Sequence, residues 1–328
     1  MVAALRPLRS VTRAHLIREG SPEARVSVRV EHERTALTHD LGVCLGKSAR
    51  QLTKDDKNAD VTSFLSALAA VSFTPDDLAI SKGSPELRRK VLDRAILNTR
   101  PAYLDVALRY SRAVKSRNKL LSEDGADALV DAFDLTVAQA GVAVLRARSE
   151  YVDRFAPLVQ ARFQEIAHPA PALSVRYRTT GSRVLEAAQD DAVAVFAEEL
   201  AGRRTSDRRR RTTSIGPHLD DLELRLDGEP VRSRASQGQH RAIVLALKLA
   251  EISDLTDMLG EPPVLLLDDI GSELDTGRTR QLFDAIADLD AQVILTTTDL
   301  DQIPGPVLDR MGPAAIYDVQ AGALTARP

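Results

Sequence analysis

The chain lacks the cysteines of disulfide-rich proteins and the long apolar runs of membrane-spanning ones. Its 328 residues include one cysteine, Cys44, and no tryptophan, which excludes an internal disulfide and a cysteine-rich zinc site. No continuous run of about 18 apolar residues occurs, so we expect no membrane partner. The first 20 residues mix basic groups with short apolar pieces and lack the continuous apolar core of a secretory signal. These absences predict a cytoplasmic protein.

The chain also lacks a large charge of one sign, since its net charge is −3. The surface as a whole therefore does not resemble that of a basic nucleic-acid binder. One local cluster departs from this balance, a run of six arginines between residues 203 and 211. A run of arginines is typical of a solvated loop, but it can also contact the phosphates of DNA. Its members are Arg203, Arg204, Arg208, Arg209, Arg210 and Arg211.

Three segments with different periodicity follow one another along the chain. Residues 1–100 contain the alternating strand 24–31 and a helix that begins at Ser84-Pro85-Glu86, where a capping hydroxyl precedes proline. Residues 101–170 contain two amphipathic stretches around a short polar turn, which predicts an antiparallel helical hairpin. In residues 171–328, a predicted helix over 183–202 is followed by helices that alternate with continuous apolar strands. That alternation indicates an α/β fold with a parallel sheet covered on both faces.

Two acids follow an apolar strand in the last third of the chain. The strand Val264–Leu267 ends in Asp268 and Asp269, and ligands of α/β sheets bind beyond the carboxyl ends of strands. Asp268 is suited to hold Mg²⁺ together with nucleotide phosphates. Asp269 is suited to orient or deprotonate a water molecule. Apolar strands that end in aspartate are common, so the pair has a purely structural interpretation as well.

Two polar turns flank this strand and favour a functional interpretation of the two acids. The turn Ser236-Gln237-Gly238-Gln239 begins a predicted helix, where free backbone N–H groups and the helix dipole attract phosphate. The second turn contains Ser272 and Asp275. Either turn alone could be an ordinary helix cap. All three features occur in a fixed order, with room between them for one helix and one buried strand.

That order resembles the signature motif, Walker B strand and D-loop of ABC-type ATPases. The segment ASQGQHRAIVLALKLAE followed by PPVLLLDDIGSELD resembles the corresponding sequences of the RecF family, as do FTPDDL at 73–78 and GSPELRRKVLD at 83–93. The resemblance extends from about residue 13 to residue 298. It implies an ABC-type ATPase head, formed by residues 1–100 and 171–328, with residues 101–170 inserted as a helical arm.

The resemblance also implies a mechanism and partners. Two heads form a homodimer around two ATP molecules, with Asp268 holding Mg²⁺, Asp269 holding the attacking water, and Ser236, Gln237, Gly238 and Gln239 closing over the partner's nucleotide. Ser272 and Asp275 belong to the D-loop. The closed dimer binds DNA at junctions between single and double strands, and recombination mediator and recombinase proteins assist it. From charge alone, the arginine run is a candidate DNA-contacting element.

One part of such a head is missing from these 328 residues. ABC heads hold ATP through the Walker A loop G-x-x-x-x-G-K-[ST]. The segment Gly42–Ser48 contains Gly46-Lys47-Ser48 but has one residue too few between its glycines, and we expect it to form a hairpin. Either the start site was placed downstream of the true one or the gene is clipped, which we favour because the remaining site needs its loop, or the protein has lost the loop. In both cases we expect the chain to bind ATP poorly.

Further differences from the family leave other functions open. Gly216-Pro217-His218-Leu219 stands where RecF proteins read Gly-Pro-His-Arg, and Thr296 to Thr298 follow the last strand where many ABC proteins have histidine. An ATP-independent DNA-binding scaffold would keep the arm and lose ATP. Another chromosome-maintenance ATPase would need a much longer coiled coil, and a transporter subunit would lack the arm.

Overall fold

A computed structural model describes residues 2–5, 12–47, 49–167, 171–269, 276–289, 291–300 and 314–327. The strands are β1 (Glu23–His32), β2 (Leu37–Gly46), β3 (Arg50–Lys54), β4 (Lys57–Asn58), β5 (Ala70–Phe73), β6 (Leu173–Arg178), β7 (Asp221–Leu226), β8 (Glu229–Pro230), β9 (Val264–Asp268), β10 (Val293–Thr296), β11 (Tyr317–Gln320) and β12 (Ala323–Ala326). The helices are α1 (Val61–Leu65), α2 (Leu78–Lys82), α3 (Pro85–Thr99), α4 (Tyr103–Ser122), α5 (Asp127–Ile166), α6 (Ser182–Glu186), α7 (Ala192–Arg210), α8 (Val231–Arg234), α9 (Gln237–Leu259) and α10 (Thr276–Ala287).

The first four strands form an antiparallel sheet in the order β1-β2-β3-β4. In the second half of β2, side chains alternate between buried and half-buried, as expected for a strand with one face on a core. Gly42 lies opposite Thr53 of β3, and a Cβ at Gly42 would collide with the Thr53 hydroxyl. The glycine at this position therefore permits close strand packing. The segment 42–46 belongs to β2, which confirms the predicted hairpin and leaves no phosphate loop there.

A parallel sheet of three strands carries the acids. Its order is β10-β9-β5, and β9 pairs with both neighbours in parallel. Leu265 and Leu267 of β9 are fully buried, because α9 and α10 pack on the same core. The continuous apolar strand and the alternation of helix and strand are confirmed. The carboxyl ends of β9 and β10 meet at one edge, as parallel pairing requires.

The predicted helical hairpin is formed by α4 and α5, which pack against each other. Among the described helices, α5 is long and apolar enough by length and composition to cross a membrane, and 44% of its most apolar window is buried in the fold. Its buried face contacts α7, α9 and β6. Because these contacts bury one face of the helix, core packing accounts for its apolar composition.

The segment after the hairpin differs from its prediction. The helix expected over 183–202 is two helices, α6 and α7, separated at 187–191. Helix α7 continues to Arg210, so the arginine run lies on a helix and not in a loop. Arg211, whose φ is +56°, ends the helix in a left-handed conformation, a common way for helices to terminate.

Candidate functional site

Asp268 lies at the carboxyl edge of the parallel sheet and is held there by the neighbouring strand. It is the last residue of β9, and its partner in register on β10 is Thr296. The Thr296 hydroxyl donates a hydrogen bond to Asp268 Oδ1 at 2.8 Å. This bond fixes the orientation of the Asp268 carboxylate. Sequence reasoning noted Thr296 only as a replacement for histidine and missed this positioning contact.

Asp269 continues from the strand in a backbone conformation that few residues adopt. Its φ is +52°, in the left-handed region, where aspartate is tolerated better than most residues. Its backbone N–H donates to the Thr296 carbonyl oxygen at 3.0 Å, so the turn is tied to β10. The two acids therefore leave β9 in different backbone conformations but share Thr296 as a neighbour. Strained backbone of this kind is frequent at functional sites.

The turn 236–239 caps the start of helix α9. Ser236 Oγ accepts from the Gln239 N–H at 3.2 Å, and Gln239 Oε1 accepts from the Ser236 N–H at 2.8 Å. This reciprocal pair is a capping box. Neither the Gln237 nor the Gly238 backbone N–H has a hydrogen-bond partner among the described residues. The turn therefore presents two amides, a hydroxyl and the positive end of a 23-residue helix to an anion.

A lysine that the sequence did not single out lies against this turn. Lys82, at the end of α2, donates to Gln237 Oε1. The preceding residue, Ser81, has its hydroxyl 3.0 Å from His240 Nδ1, and burial together with Lys82 lowers the pKa of His240. The segment after β5 thus supplies a cation to the turn. The residues concerned are about 160 positions apart in sequence, so local patterns hold no signal for this contact.

A buried lysine connects α9 to the end of β5. Lys248 Nζ donates to the Ser72 carbonyl oxygen at 2.7 Å and lies 3.2 Å from Asp77 Oδ1. About 18 Å of helix separates Lys248 from Ser236 at 1.5 Å per residue. The turn 236–239 therefore lies several helical turns away from the point where α9 meets the parallel sheet.

The donor set at the sheet edge matches Mg²⁺ that is shared with phosphates. Among the described residues, no group of three histidine, cysteine or acidic side chains could hold a metal ion by itself. The Asp268 carboxylate, oriented by the Thr296 hydroxyl, nevertheless suits Mg²⁺, which takes its remaining ligands from water and phosphate oxygens. Ser272 and Asp275 lie outside the described residues.

The arginine run is divided between two faces of α7. Arg204 is bound to Asp131 and Asp134, and Arg208 to Asp127, all on α5. These two arginines are only partly exposed. The other four are exposed and have no ion pair among the described residues: Arg203, Arg209, Arg210 and Arg211. Arg204 and Arg208 therefore stabilise the packing of α7 on α5, whereas the four exposed arginines can contact a binding partner.

Comparison with known proteins decides the family. No family model matches the chain. A DNA replication and repair protein RecF of Anaeromyxobacter sp. (strain Fw109-5) is 39% identical over 329 residues, which is 99% of this chain and 87% of the relative. The RecF of Myxococcus xanthus (strain DK1622) is 39% identical over 313 residues, 94% of this chain and 82% of the relative. The chain belongs to the RecF family.

Solved RecF structures share the fold. A structure of the recombination mediator protein RecF with ATP, from the RecFOR pathway, superposes with a TM-score of 0.87 at 24% identity, covering 100% of this chain and 86% of that one. The ATPrS form gives a TM-score of 0.86 at 24% identity, covering 98% and 85%. The α/β ABC-type head with an inserted helical hairpin is thereby confirmed. As a RecF-family member, this chain is a DNA replication and repair protein.

Proposed function

We propose that this RecF-family chain works in the cytoplasm as part of an ATP-dependent homodimer on DNA, at single strands and at their junctions with duplex. In this role it supports recombinational repair and the SOS response together with recombination mediator and recombinase proteins. The observation that carries the proposal is the arrangement of an anion-binding helix start at Ser236 and two acids at the carboxyl edge of a parallel sheet. The names of the relatives and of the ATP-bound neighbours support it.

Each site residue has a role in this proposal that its chemistry allows. Asp268, oriented by Thr296, holds the metal. Asp269 accepts a hydrogen bond from water and directs it at a phosphate. Bound Mg²⁺ would neutralise negative charge on the phosphate oxygens. Ser236, Gly238 and the backbone of Gln237 and Gln239 receive the terminal phosphate of a nucleotide held by a second chain. Ser272 and Asp275 contribute the D-loop of the same shared site.

The length of α9 supports a site that two chains share. Lys248, which contacts the end of β5, and Ser236 lie about 18 Å apart along α9. A second head, in the opposite orientation, would bring its own turn to the acids of the first. A twofold dimer of this kind uses the same surface on both copies.

A second candidate function follows from β2. Because segment 42–46 is part of an antiparallel strand, it cannot cradle phosphates as a Walker A loop does. A chain that binds DNA without ATP, as a scaffold, would use the arm and the exposed arginines alone. We keep this as the alternative.

An extension of the chain at its N-terminus distinguishes the ATP-dependent dimer from the ATP-independent scaffold. The codons directly upstream of Met1 are read in frame for G-x-x-x-x-G-K-[ST], and the extended protein is compared with the 328-residue chain by sedimentation, with and without ATP and Mg²⁺. We expect the extended protein to dimerise with ATP and the 328-residue chain to remain monomeric. Ser236→Arg should raise the dimer dissociation constant at least about tenfold, roughly 1.4 kcal/mol, because a large cation blocks the turn.

Ser233→Arg, on the exposed face of α8, is the matched control and should dimerise normally. An extended protein that binds ATP but stays monomeric, or that dimerises equally well with Ser236→Arg, contradicts the shared site. DNA binding that is the same with and without ATP in the extended protein favours the scaffold.

A further inference from the structure

Helix α4 carries a second cationic surface that lies outside the arginine run. Arg112, Lys115 and Lys119 project within about 60° of one another around the helix and span about 10 Å of its axis. All three are exposed. Arg112 and Lys115 have no ion pair among the described residues, and Lys119 lies 3.9 Å from the exposed Glu123, a contact that contributes little in water. We call these three residues the α4 stripe.

The opposite face of α4 explains why the α4 stripe faces solvent. Tyr110, Ala113, Val114, Arg117 and Leu121 are buried on that side. A cation on that buried side needs partners, and Arg117 has them in Asp134 and Asp207. The α4 stripe has no such structural partners among the residues that the structure describes, so its charges are not explained by the fold.

Helix α7 presents a similar group on its outer face. Arg203, Arg209 and Arg210 fall within about 120° around α7 and are exposed. We call them the α7 stripe. The side of α7 that carries Arg204 and Arg208 is bound to α5, which leaves the α7 stripe on the surface. Each helix therefore separates its structural cations from its exposed ones.

Hydrogen bonds hold the two helices side by side near these stripes. Asn118, which lies between Lys115 and Lys119, accepts from both the N–H and the hydroxyl of Thr213 at 2.7 Å. Thr213 follows α7 by three residues. Buried Arg117 donates to Thr213 Oγ1 and to Asp207 of α7. The end of α7 is therefore fixed against α4, and the stripes belong to one rigid body.

We infer that the α4 stripe and the α7 stripe together bind the phosphate backbone of double-stranded DNA. Six exposed cations on two fixed helices match a ligand with closely spaced negative charges. Neither stripe contains an aromatic residue. Single-strand binding depends on stacking against such residues, so duplex is the better fit. The inference rests on the proposed DNA function and adds the arm helix to it.

Salt dependence of binding tests the inference on the full 328-residue chain. The probes are a 30-base-pair duplex DNA, one of its strands, and duplex RNA of the same sequence. One variant replaces Arg112, Lys115 and Lys119 with Gln, a second replaces Arg203, Arg209 and Arg210 with Gln, and a third combines the two. The matched control replaces Arg25, Lys47 and Lys57 with Gln, three exposed cations from the β1–β4 region.

Each phosphate that the protein no longer neutralises should lower the slope of log K against log salt concentration by about 0.9. We expect each triple variant to reduce the slope by about two to three and to bind duplex DNA roughly tenfold or more weakly, and the combined variant to show the sum. The control should keep the wild-type slope, because it removes the same charge elsewhere. Melting temperatures should agree among all variants, since the replaced side chains are exposed.

The outcomes separate the inference from the proposed function. A normal slope for the α4 variant together with a reduced slope for the α7 variant overturns the inference and leaves DNA binding in place. A wild-type 328-residue chain that binds no duplex DNA at low salt also overturns the inference, because both stripes are present in it, whereas the proposed function is tested by the extended protein with ATP. Tighter binding to the single strand or to duplex RNA than to duplex DNA contradicts the assignment of the partner.

Discussion

Glu251 shows how a single buried carboxyl affects this fold. It lies on α9, is almost fully inaccessible, and shares its surroundings with Lys248 and Arg94. Burial raises its pKa above 4.5, more than these cations lower it. The charged form of Glu251 is disfavoured because water cannot solvate it and the positive charge nearby compensates only in part.

Replacing Glu251 with Gln should remove a pH dependence of stability. The folded protein holds this proton more tightly than the unfolded chain, so wild-type stability falls as pH rises from about 4.5 through the raised pKa and is constant above it. Glu251→Gln should gain stability relative to wild type over this range. Urea unfolding at about pH 5 and about pH 8 measures the difference, with Glu150→Gln, an exposed site on α5, as control. A constant difference between the two pH values would contradict the expectation.

At the scale of secondary-structure elements, one arginine joins three helices. Arg117 of α4 has a fully buried side chain and donates to Asp134 of α5 at 2.5 Å and to Asp207 of α7 at 2.7 Å. It also reaches the Leu200 carbonyl oxygen. The buried charges compensate one another, so the network fixes how the helices pack.

Removing this arginine should destabilise the helical region strongly. Arg117→Met leaves the buried Asp207 carboxylate without its cation and Asp134 with Arg204 as its remaining partner, which costs about 3–5 kcal/mol. Arg109→Met, on the exposed side of the same helix, should change stability by about 0.5 kcal/mol or less. Denaturant unfolding of both variants checks the contrast, and equal destabilisation would show that the network contributes little.

At the scale of the whole molecule, two cores of unequal size hold the chain together. The larger core takes side chains from α3, α4, α5, α7, α9 and the parallel sheet. The smaller one lies under the β1–β4 sheet and contains seven buried apolar residues among those described. His32 connects the two regions through contacts with Glu261 and the Ala67 carbonyl oxygen. Helices α4 and α5 of the arm contribute side chains to the larger core. We therefore propose that the division at residues 100 and 170 separates functions and not separate cores.

The smaller core should open first. Because less apolar surface is buried under β1–β4, amide protons of β2 and β3 should exchange at lower urea concentrations than those of α5 and α9. Hydrogen exchange followed by mass spectrometry measures this order. Simultaneous exposure of both regions would show that the chain unfolds as one unit.

Much of the fold could be predicted because its signals are local. The hairpin α4–α5, the helix that starts at Ser236 and the strand ending at Asp268 all follow from periodicity, capping residues and continuous apolar runs. The division of 183–202 into two helices was missed, because Gln189-Asp190-Asp191 provides only a weak break in an otherwise helical composition. The site was predicted as a set of residues, but not with the contacts that orient them.

The sequence by itself determined the family, most of the order of the elements and the two acids at the carboxyl end of β9, since neighbouring residues encode these features. Only the tertiary structure decided that Thr296 orients Asp268, that Lys82 lies against Gln237, and that Gly42 belongs to a sheet. It also divided the arginine run into bound and exposed members. The physical reason is that each of these facts depends on elements far apart in the chain, 155 residues in the case of Lys82 and Gln237, which packing of the core brings together.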